Sequence, residues 1–529
     1  MQTSPRFAPA ILVASLLLVL VAPAAAGATQ NEPRRLRSTH SAARTAARPA
    51  RPAAGPNTSA TPQAVLVASP QQLVFPSHVD SNSPAHWDGT TMYLFNSLAL
   101  GSALPARSTY VHGQLTGTAD VVFENDDSIL GNRWIEATYK ADDGTLYGWY
   151  HEEQDDLCPP LPDGFPVAVP HIGALVSHDN GATWTDLGIV LAAPAGDYDC
   201  AGGTLSMTFA GGVGDFSVIL DSAKQYFYFL YSAYSGDISQ QGVAVARMPY
   251  ASRDNPAGQV WKWYQGAWSQ PGVGGLNTPI FQAVASWSSQ WPDAYWGPSI
   301  HWNTHLQQYV ILMNHANGGF WSQEGIYVTF NRDVSNPNGW STPREIVVGG
   351  DWYPQVLGRG GNFKGTDKLA SGLASYVQGG ISSQDIAFLK PGEALLSRYY
   401  SRSVSDPGKP SATGDSWATI HPPGVLYSFQ RALGIVQTKP ANTSGLVQLE
   451  DCYYPNQADH EVQLGPTTCP GGLDMGSVGW VASPKLPQPD GTVPLYLCLN
   501  VADSDHSVST APDCEGHGVE VAPLGYAWR

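Results

Sequence analysis

Five times along the chain a polar or Gly/Pro-bearing strand start leads across a tight turn into a strongly apolar second strand. The instances are His86-Trp87-Asp88-Gly89-Thr90 into Met92-Tyr93-Leu94-Phe95, Trp134-Ile135-Glu136-Ala137 into Leu146-Tyr147-Gly148-Trp149-Tyr150, and Gly214-Asp215-Phe216-Ser217 into Tyr226-Phe227-Tyr228-Phe229-Leu230. Trp296-Gly297-Pro298-Ser299 into Tyr309-Val310-Ile311-Leu312 is the fourth, and Trp352-Tyr353-Pro354-Gln355-Val356 opens a fifth with a weaker partner. Little helical periodicity interrupts them, so the fold class is all-β. Spacings of roughly 50 to 80 residues with long insertions suit the blades of a propeller better than the even strand spacing of a sandwich.

Charge and processing signals bound the function. Residues 1 to 62 hold seven Arg and one acid, which leaves 20 basic and 43 acidic residues in the remainder of a chain with net charge -17. So acidic a body repels phosphate backbones, which argues against nucleic acid and favours neutral or cationic substrates. Arg6, the apolar run from Ala8 to Val21 and Pro23-Ala24-Ala25-Ala26 have the form of a secretory signal over residues 1–26. No later segment is long and apolar enough to span a bilayer. The expected location is secreted or periplasmic, and the chain is expected to be a monomer. Residues 27–63 are expected to form an Arg/Ala/Pro-rich linker, 64–430 a five-bladed β-propeller, and 431–529 a small disulfide-stapled tandem-repeat β domain. Six cysteines in an exported chain are most simply three disulfides, and their order suggests consecutive pairing.

Ser177-His178-Asp179-Asn180-Gly181-Ala182-Thr183-Trp184 resembles the Asp-box, a hairpin motif of sialidases and other propellers. Asp179 and Asn180 side chains hold such a turn, Gly181 permits positive φ and Trp184 packs between blades, so Asp179 reads as structural. In propellers this turn lies opposite the ligand funnel. First-strand starts, second-strand ends and third-strand starts then share the ligand face, with Cys158 and Cys200 in loops on that side.

In the last hundred residues a repeat with an offset of 46 relates Leu449, Cys452, Asp459, His460 and Gly479 to Leu495, Cys498, Asp505, His506 and Gly525. Each unit is too small to bury a core alone, and two share one. They resemble short Cys/Asp-His modules appended to secreted bacterial hydrolases. The Cys spacing of 15 or 16 residues does not suit zinc, and a structural Asp-His hydrogen bond is the expectation. No metal is assigned, and no cofactor is identified.

The middle region, roughly residues 65 to 390, is similar to the five-bladed β-propeller glycosidases of the arabinanase, xylosidase and invertase-like clans. That resemblance implies catalytic carboxylates at Asp80, in His78-Val79-Asp80-Ser81-Asn82-Ser83-Pro84, and at Asp215. Where those enzymes carry Glu-Gly-Pro this chain has Trp296-Gly297-Pro298. Glycoside hydrolysis needs one protonated and one ionised carboxyl flanking the bond, so Glu136 and Glu324 become the candidates for the acid, with His151 and His301 as weaker ones. Trp87, Trp149, Trp296, Trp321 and Trp352 are expected at blade ends on the ligand face, where indoles stack on sugar rings. The expected function is an exported glycoside hydrolase acting on a neutral polysaccharide or oligosaccharide, and the alternative is a non-catalytic carbohydrate- or surface-binding propeller.

Overall fold

Runs such as Tyr226–Ala233 are apolar almost without interruption because a blade is covered on both faces by its neighbours. A computed structural model describes residues 61–529 except 77–78, 98–104, 125–131, 162–163, 165, 201–208, 359–364, 403–413, 441–444, 467–468 and 502–503. The expected signal at 1–26 and nearly all of the linker lie outside the described residues.

Antiparallel meanders form the first four blades, each counted from its inner strand outward. Blade 1 is built from Ala85–Asp88, Thr91–Asn96, Ala106–Val111 and Gln114–Asp120, and blade 2 from Arg133–Lys140, Leu146–Gln154, Val169–Ser177 and Thr183–Leu191. Blade 3 starts with Val213–Leu220, Tyr226–Ala233, Gly242–Pro249 and Trp261–Tyr264, and blade 4 has Asp293–Asn303, Gln308–Asn317, Gln323–Asn331 and Arg344–Val348. Blade 5 takes Gln355–Gly358, Leu373–Gln378 and Ile381–Leu389 from the chain's middle and its outer strand from Gln63–Val74, with Gln63 opposite Leu389 and Val74 opposite Ile381. That pairing closes the ring, while the weaker second-strand partner of the fifth sequence pattern is Leu373–Gln378.

Apolar layers fill the gaps between blades. Phe95 of blade 1 packs edge-on against Trp184 of blade 2 with ring centroids 5.7 Å apart, and Trp149 of blade 2 meets Phe227 and Phe229 of blade 3 at 5.0 and 5.6 Å. The Asp-box turn behaves as its residues dictate. The Asp179 carboxylate accepts the backbone N–H groups of Ala182 and Thr183 at 2.9 and 3.0 Å and the Thr183 hydroxyl at 2.9 Å. Gly181 has φ 79°, and a Cβ there would lie 2.4 Å from the Phe95 ring, so only glycine fits.

The propeller ends at Leu389 and the C-terminal sheet begins at Glu393, earlier than the expected 430/431 boundary. The sheet contains three units, not the two read from the repeat. They are Glu393–Ser401 with Asp415–Thr419 and Ser428–Gln437, Leu446–Tyr454 with Asp459–Leu464 and Leu473–Ala482, and Thr492–Asn500 with Asp505–Ser509 and Val519–Trp528. Their third strands pair with one another around a pseudo-threefold axis. Leu396 opposite Gly434, Leu449 opposite Gly479 and Leu495 opposite Gly525 hold the same place in each unit. The three glycines have φ of 153°, 127° and 134° and crowd the neighbouring unit, which excludes a side chain. Unit 1 escaped the sequence pattern because Tyr399 and Ser416 stand where the others carry Cys and His. Disulfides join Cys158 to Cys200, Cys452 to Cys469 and Cys498 to Cys514, the consecutive pairing. Leu373, Ala387 and Leu389 of blade 5 pack on Leu395, Ile435 and Trp528, so the module is seated on the last blade.

Candidate active site

Bulges at one end of three inner strands turn polar groups toward the axis. In blade 2, Ile135 and Ala137 pair with the adjacent Tyr150 and Trp149, which leaves Glu136 out of the ladder. In blade 3, Gly214 and Phe216 pair with Ser232 and Tyr231, which leaves Asp215 out at φ 41°. Blade 4 breaks in the same way between Trp296 and Ser299, but the extra residues are Gly297 and Pro298 and bring no carboxylate. Bulges re-aim side chains in this manner. The Asn82 side chain donates to the Phe216 and Pro298 carbonyls at 2.8 and 3.1 Å, tying blade 1 to the bulges of blades 3 and 4. Asp80, two residues earlier, is exposed, and its N–H donates to Ser97 Oγ at 2.7 Å.

The buried centre of the site is Glu136, His151 and Asp215, each at most 3% exposed. Glu136 Oε1 is 2.9 Å from His151 Nδ1, and Glu136 Oε2 accepts the Phe216 N–H at 2.9 Å. Asp215 Oδ1 lies 3.7 Å from His151 Nδ1 and accepts the Tyr353 hydroxyl at 3.0 Å, while Tyr234 donates to Oδ2. Burial alone would lower the His151 pKa, but the hydrogen bond and charge of Glu136 raise it above the usual value, and imidazolium with carboxylate is the favoured pairing. Burial raises Glu136 against the pull of His151. Burial, followed by the charge of Asp215, lifts the phenols of Tyr234 and Tyr353 far above their ordinary range and keeps both as donors.

Glu153 completes the group. It shares a strand with His151 two residues on, so both side chains take the same face, at the end of the second strand where the ligand side is expected. Burial pushes its pKa up to about 8, with His151 opposing and the charges of Asp80 and Asp215 adding to the rise. The sequence reading missed Glu153, Tyr234 and Tyr353. The period of two from His151 was a usable signal for Glu153, whereas nothing local marked the tyrosines.

The other expected site residues are placed differently. Glu324 accepts from His315 Nδ1 at 2.6 Å, and the other nitrogen of that ring is 3.1 Å from Asp293 Oδ1. This second network is on blade 4, with no contact to the axial cluster among those described. Arg133 pairs with Glu152 at 2.7 Å, not with Glu136. His301 is 1% exposed beside Phe388, and burial together with the Lys368 charge lowers its pKa to about 3, so it is a neutral interior group. Trp296 and Trp321 are buried in an aromatic cluster with Tyr234, Trp287 and Tyr353, while Trp352 is half-buried against Trp296. They form a wall of the site. Trp87 and Trp149 lie apart from this cluster: both line a cavity of about 420 Å³ with Lys140 and Trp302, at the Asp-box end of the axis. Their places within the strands put them past the midpoint of the blade. Trp291, on the loop entering blade 4, is 63% exposed at the ligand-side end and was not singled out from sequence.

Glu136, His151 and Asp215 offer donor atoms within 4.8 Å of one another, the reach of one metal ion, as do Asp415, Asp459 and Asp505 of the C-terminal module. In the first set a cation would compete with the charged imidazole for the same two carboxylates.

No family model and no curated protein matches the chain. Among solved structures it is similar to an endo-arabinase from Bacteroides thetaiotaomicron, at 12% identity and TM-score 0.37 over 60% of this chain and 96% of that one. It is also similar to an arabinanase from Bacillus subtilis, at 11% identity and TM-score 0.33 over 60% of this chain and 97% of that one. An exo-β-1,3-galactanase from Phanerochaete chrysosporium aligns at 13% identity and TM-score 0.33 over 86% of this chain and 94% of that one.

Proposed function

We propose that the chain hydrolyses glycosidic bonds of a neutral polysaccharide or oligosaccharide in the axial site, with Glu153 as proton donor and Asp80 as the carboxylate that activates water or attacks. One observation carries this reading: a half-buried carboxyl protonated near neutrality shares its electrostatic environment with an exposed carboxylate. A buried carboxyl with a raised pKa beside an exposed one is the arrangement an acid/base pair requires. Glu136 has both oxygens engaged and acts as a positioning residue that fixes the charged His151. Asp215, held by two phenols, is placed so that its charge adds to the rise of the Glu153 pKa. Glu324 plays no part in this assignment. Export follows from the signal-like segment at 1–26 and agrees with three disulfides, which persist in oxidising compartments.

Gly297 at the blade 4 bulge favours a second reading, a sugar-binding propeller without hydrolysis. Reducing-sugar release from arabinan, xylan, fructan, galactan and agar-type polymers decides between them. Release that falls by about 10²–10⁴-fold in both Asp80→Asn and Glu153→Gln is expected. Retention of the wild type on one polymer in affinity electrophoresis with no release overturns the hydrolytic reading.

A further inference from the structure

The three C-terminal units are joined by a cyclic exchange of backbone hydrogen bonds. Asp415 accepts the N–H of His460 at 3.1 Å, Asp459 that of His506 at 2.9 Å, and Asp505 that of Ser416 at 3.0 Å. The ring has threefold geometry, but its side chains do not. Between units 1 and 2 the His460 ring stacks on Trp417 at 4.3 Å and 10°, with Tyr453 on its other side at 4.6 Å. Between units 2 and 3 the His506 ring occupies the corresponding place, with Nδ1 2.6 Å from Asp459. Between units 3 and 1 the register puts Ser416 where the others have His, and Ser507 where unit 1 has Trp417.

Replacing an imidazole and an indole by two serines leaves a cavity of about 210 Å³, lined by Tyr400, Ser416, Gln430, Asn500, Asp505 and Ser507 among others. At about 30 Å³ per water this is room for roughly seven waters, closer to one sugar ring than to a larger organic ligand. Arg398 also borders the space. Its guanidinium is bound to both oxygens of Glu515 at 3.1 and 2.9 Å and to Gln430 at 2.7 Å, and Arg431 shares the same carboxylate at 2.9 Å. The Cys498–Cys514 disulfide stiffens the remaining wall.

We infer that this cavity between units 3 and 1 binds a single neutral sugar ring, with the Tyr400 ring as apolar wall and the Ser416, Gln430, Asn500, Asp505 and Ser507 side chains as hydroxyl partners. Burial raises the Asp505 pKa to about 7, against the hydrogen bonds from Ser416, which suits a group that both donates to and accepts from hydroxyls. Indole-sized space beside polar groups is the usual composition of such sites. The inference is independent of whether the propeller cleaves anything.

The test refills the cavity with the two residue types that fill the interface between units 1 and 2. Full-length wild type, Ser416→His, Ser507→Trp and Asp80→Asn are run by affinity electrophoresis in gels containing arabinan, xylan, galactan or fructan, with circular dichroism as the control for folding. Wild type and Asp80→Asn are expected to be retarded by the same polymer, and either filled variant to bind it at least about tenfold more weakly. Two variants on opposite walls keep the test decisive if one fails to fold. Retardation of a folded filled variant equal to wild type, or no retardation of the wild type by any of the four polymers, overturns the site. Reducing-sugar release, measured separately, reports on the propeller alone.

Discussion

Replacing Glu153 by Gln removes a carboxyl that the fold holds protonated, and the consequence for stability can be worked out with its sign. The folded pKa is about 8 against 4.5 for an unburied Glu. Below pH 4.5 both folded and unfolded states carry the proton, so the group costs nothing. As pH rises from 4.5 to 8 the unfolded chain ionises first, and the wild type loses up to about 1.4 kcal/mol per pH unit relative to a neutral side chain. Above pH 8 the loss levels off at about 5 kcal/mol, or about 2.5 kcal/mol when the residual exposure of Glu153 screens half of it. Urea unfolding of wild type and Glu153→Gln at pH 4, 5, 6, 7, 8 and 9 measures the difference directly. The expected curve is near zero at pH 4, climbs in favour of the variant through pH 8 and is flat thereafter. The same ionisation sets the alkaline limb of activity, so wild-type kcat is expected to fall as pH passes about 8. A stability difference that does not change between pH 4 and 9 refutes the assignment of Glu153 as a protonated acid, whatever the variant does to catalysis.

Other consequences can be measured on the same preparation. Tyr353→Phe removes a hydrogen bond to the Asp215 carboxylate and is expected to lower kcat by roughly 10-fold, the worth of one charge-assisted bond, without loss of folding by circular dichroism. Trp184→Ala empties a fully buried indole site between blades 1 and 2 and should cost about 3–5 kcal/mol in chemical unfolding. Changing Cys452 and Cys469 together to Ser opens a loop with a sequence separation of 17, which should cost about 3 kcal/mol and show first as proteolysis within the C-terminal module. Trp291→Ala should raise KM several-fold with kcat little changed if its exposed indole stacks on substrate.

Much of the architecture was legible because it is written in short-range patterns. The polar start and apolar second strand of each blade reflect burial on both faces, and they fall on the inner two strands of blades 1 to 4. Asp179 announced its own turn, since its partners Ser177, Ala182 and Thr183 lie within four residues. The candidate site was legible only in part. Asp215 and Glu136 were noticed as acids near strand starts, but the bulges that swing them together depend on how many residues each strand sets against its neighbour. Trp87 and Trp149 lie at the end of the axis away from Glu136, His151 and Asp215, because a strand pattern marks which residues are buried more clearly than how far along a blade each one lies.

The sequence by itself determined the fold class, the blade-like repetition and the Asp-box turn, and it suggested the consecutive cysteine pairing that the structure shows. These are properties of residues within a few tens of positions of one another, where turn chemistry and strand periodicity act directly on the chain. Tertiary structure decided which groups meet. Asn82 reaches Pro298 across 216 positions, Tyr353 reaches Asp215 across 138, and the first described strand closes the last blade. It also decided that the C-terminal module has three units with one open interface, because the two serines that open it come from units 1 and 3 and carry no mark of emptiness in the sequence. Contacts of that range are fixed only when the ring closes and neighbouring blades and units come into register, so burial, pKa and cavity shape at the axis are properties of the closed assembly.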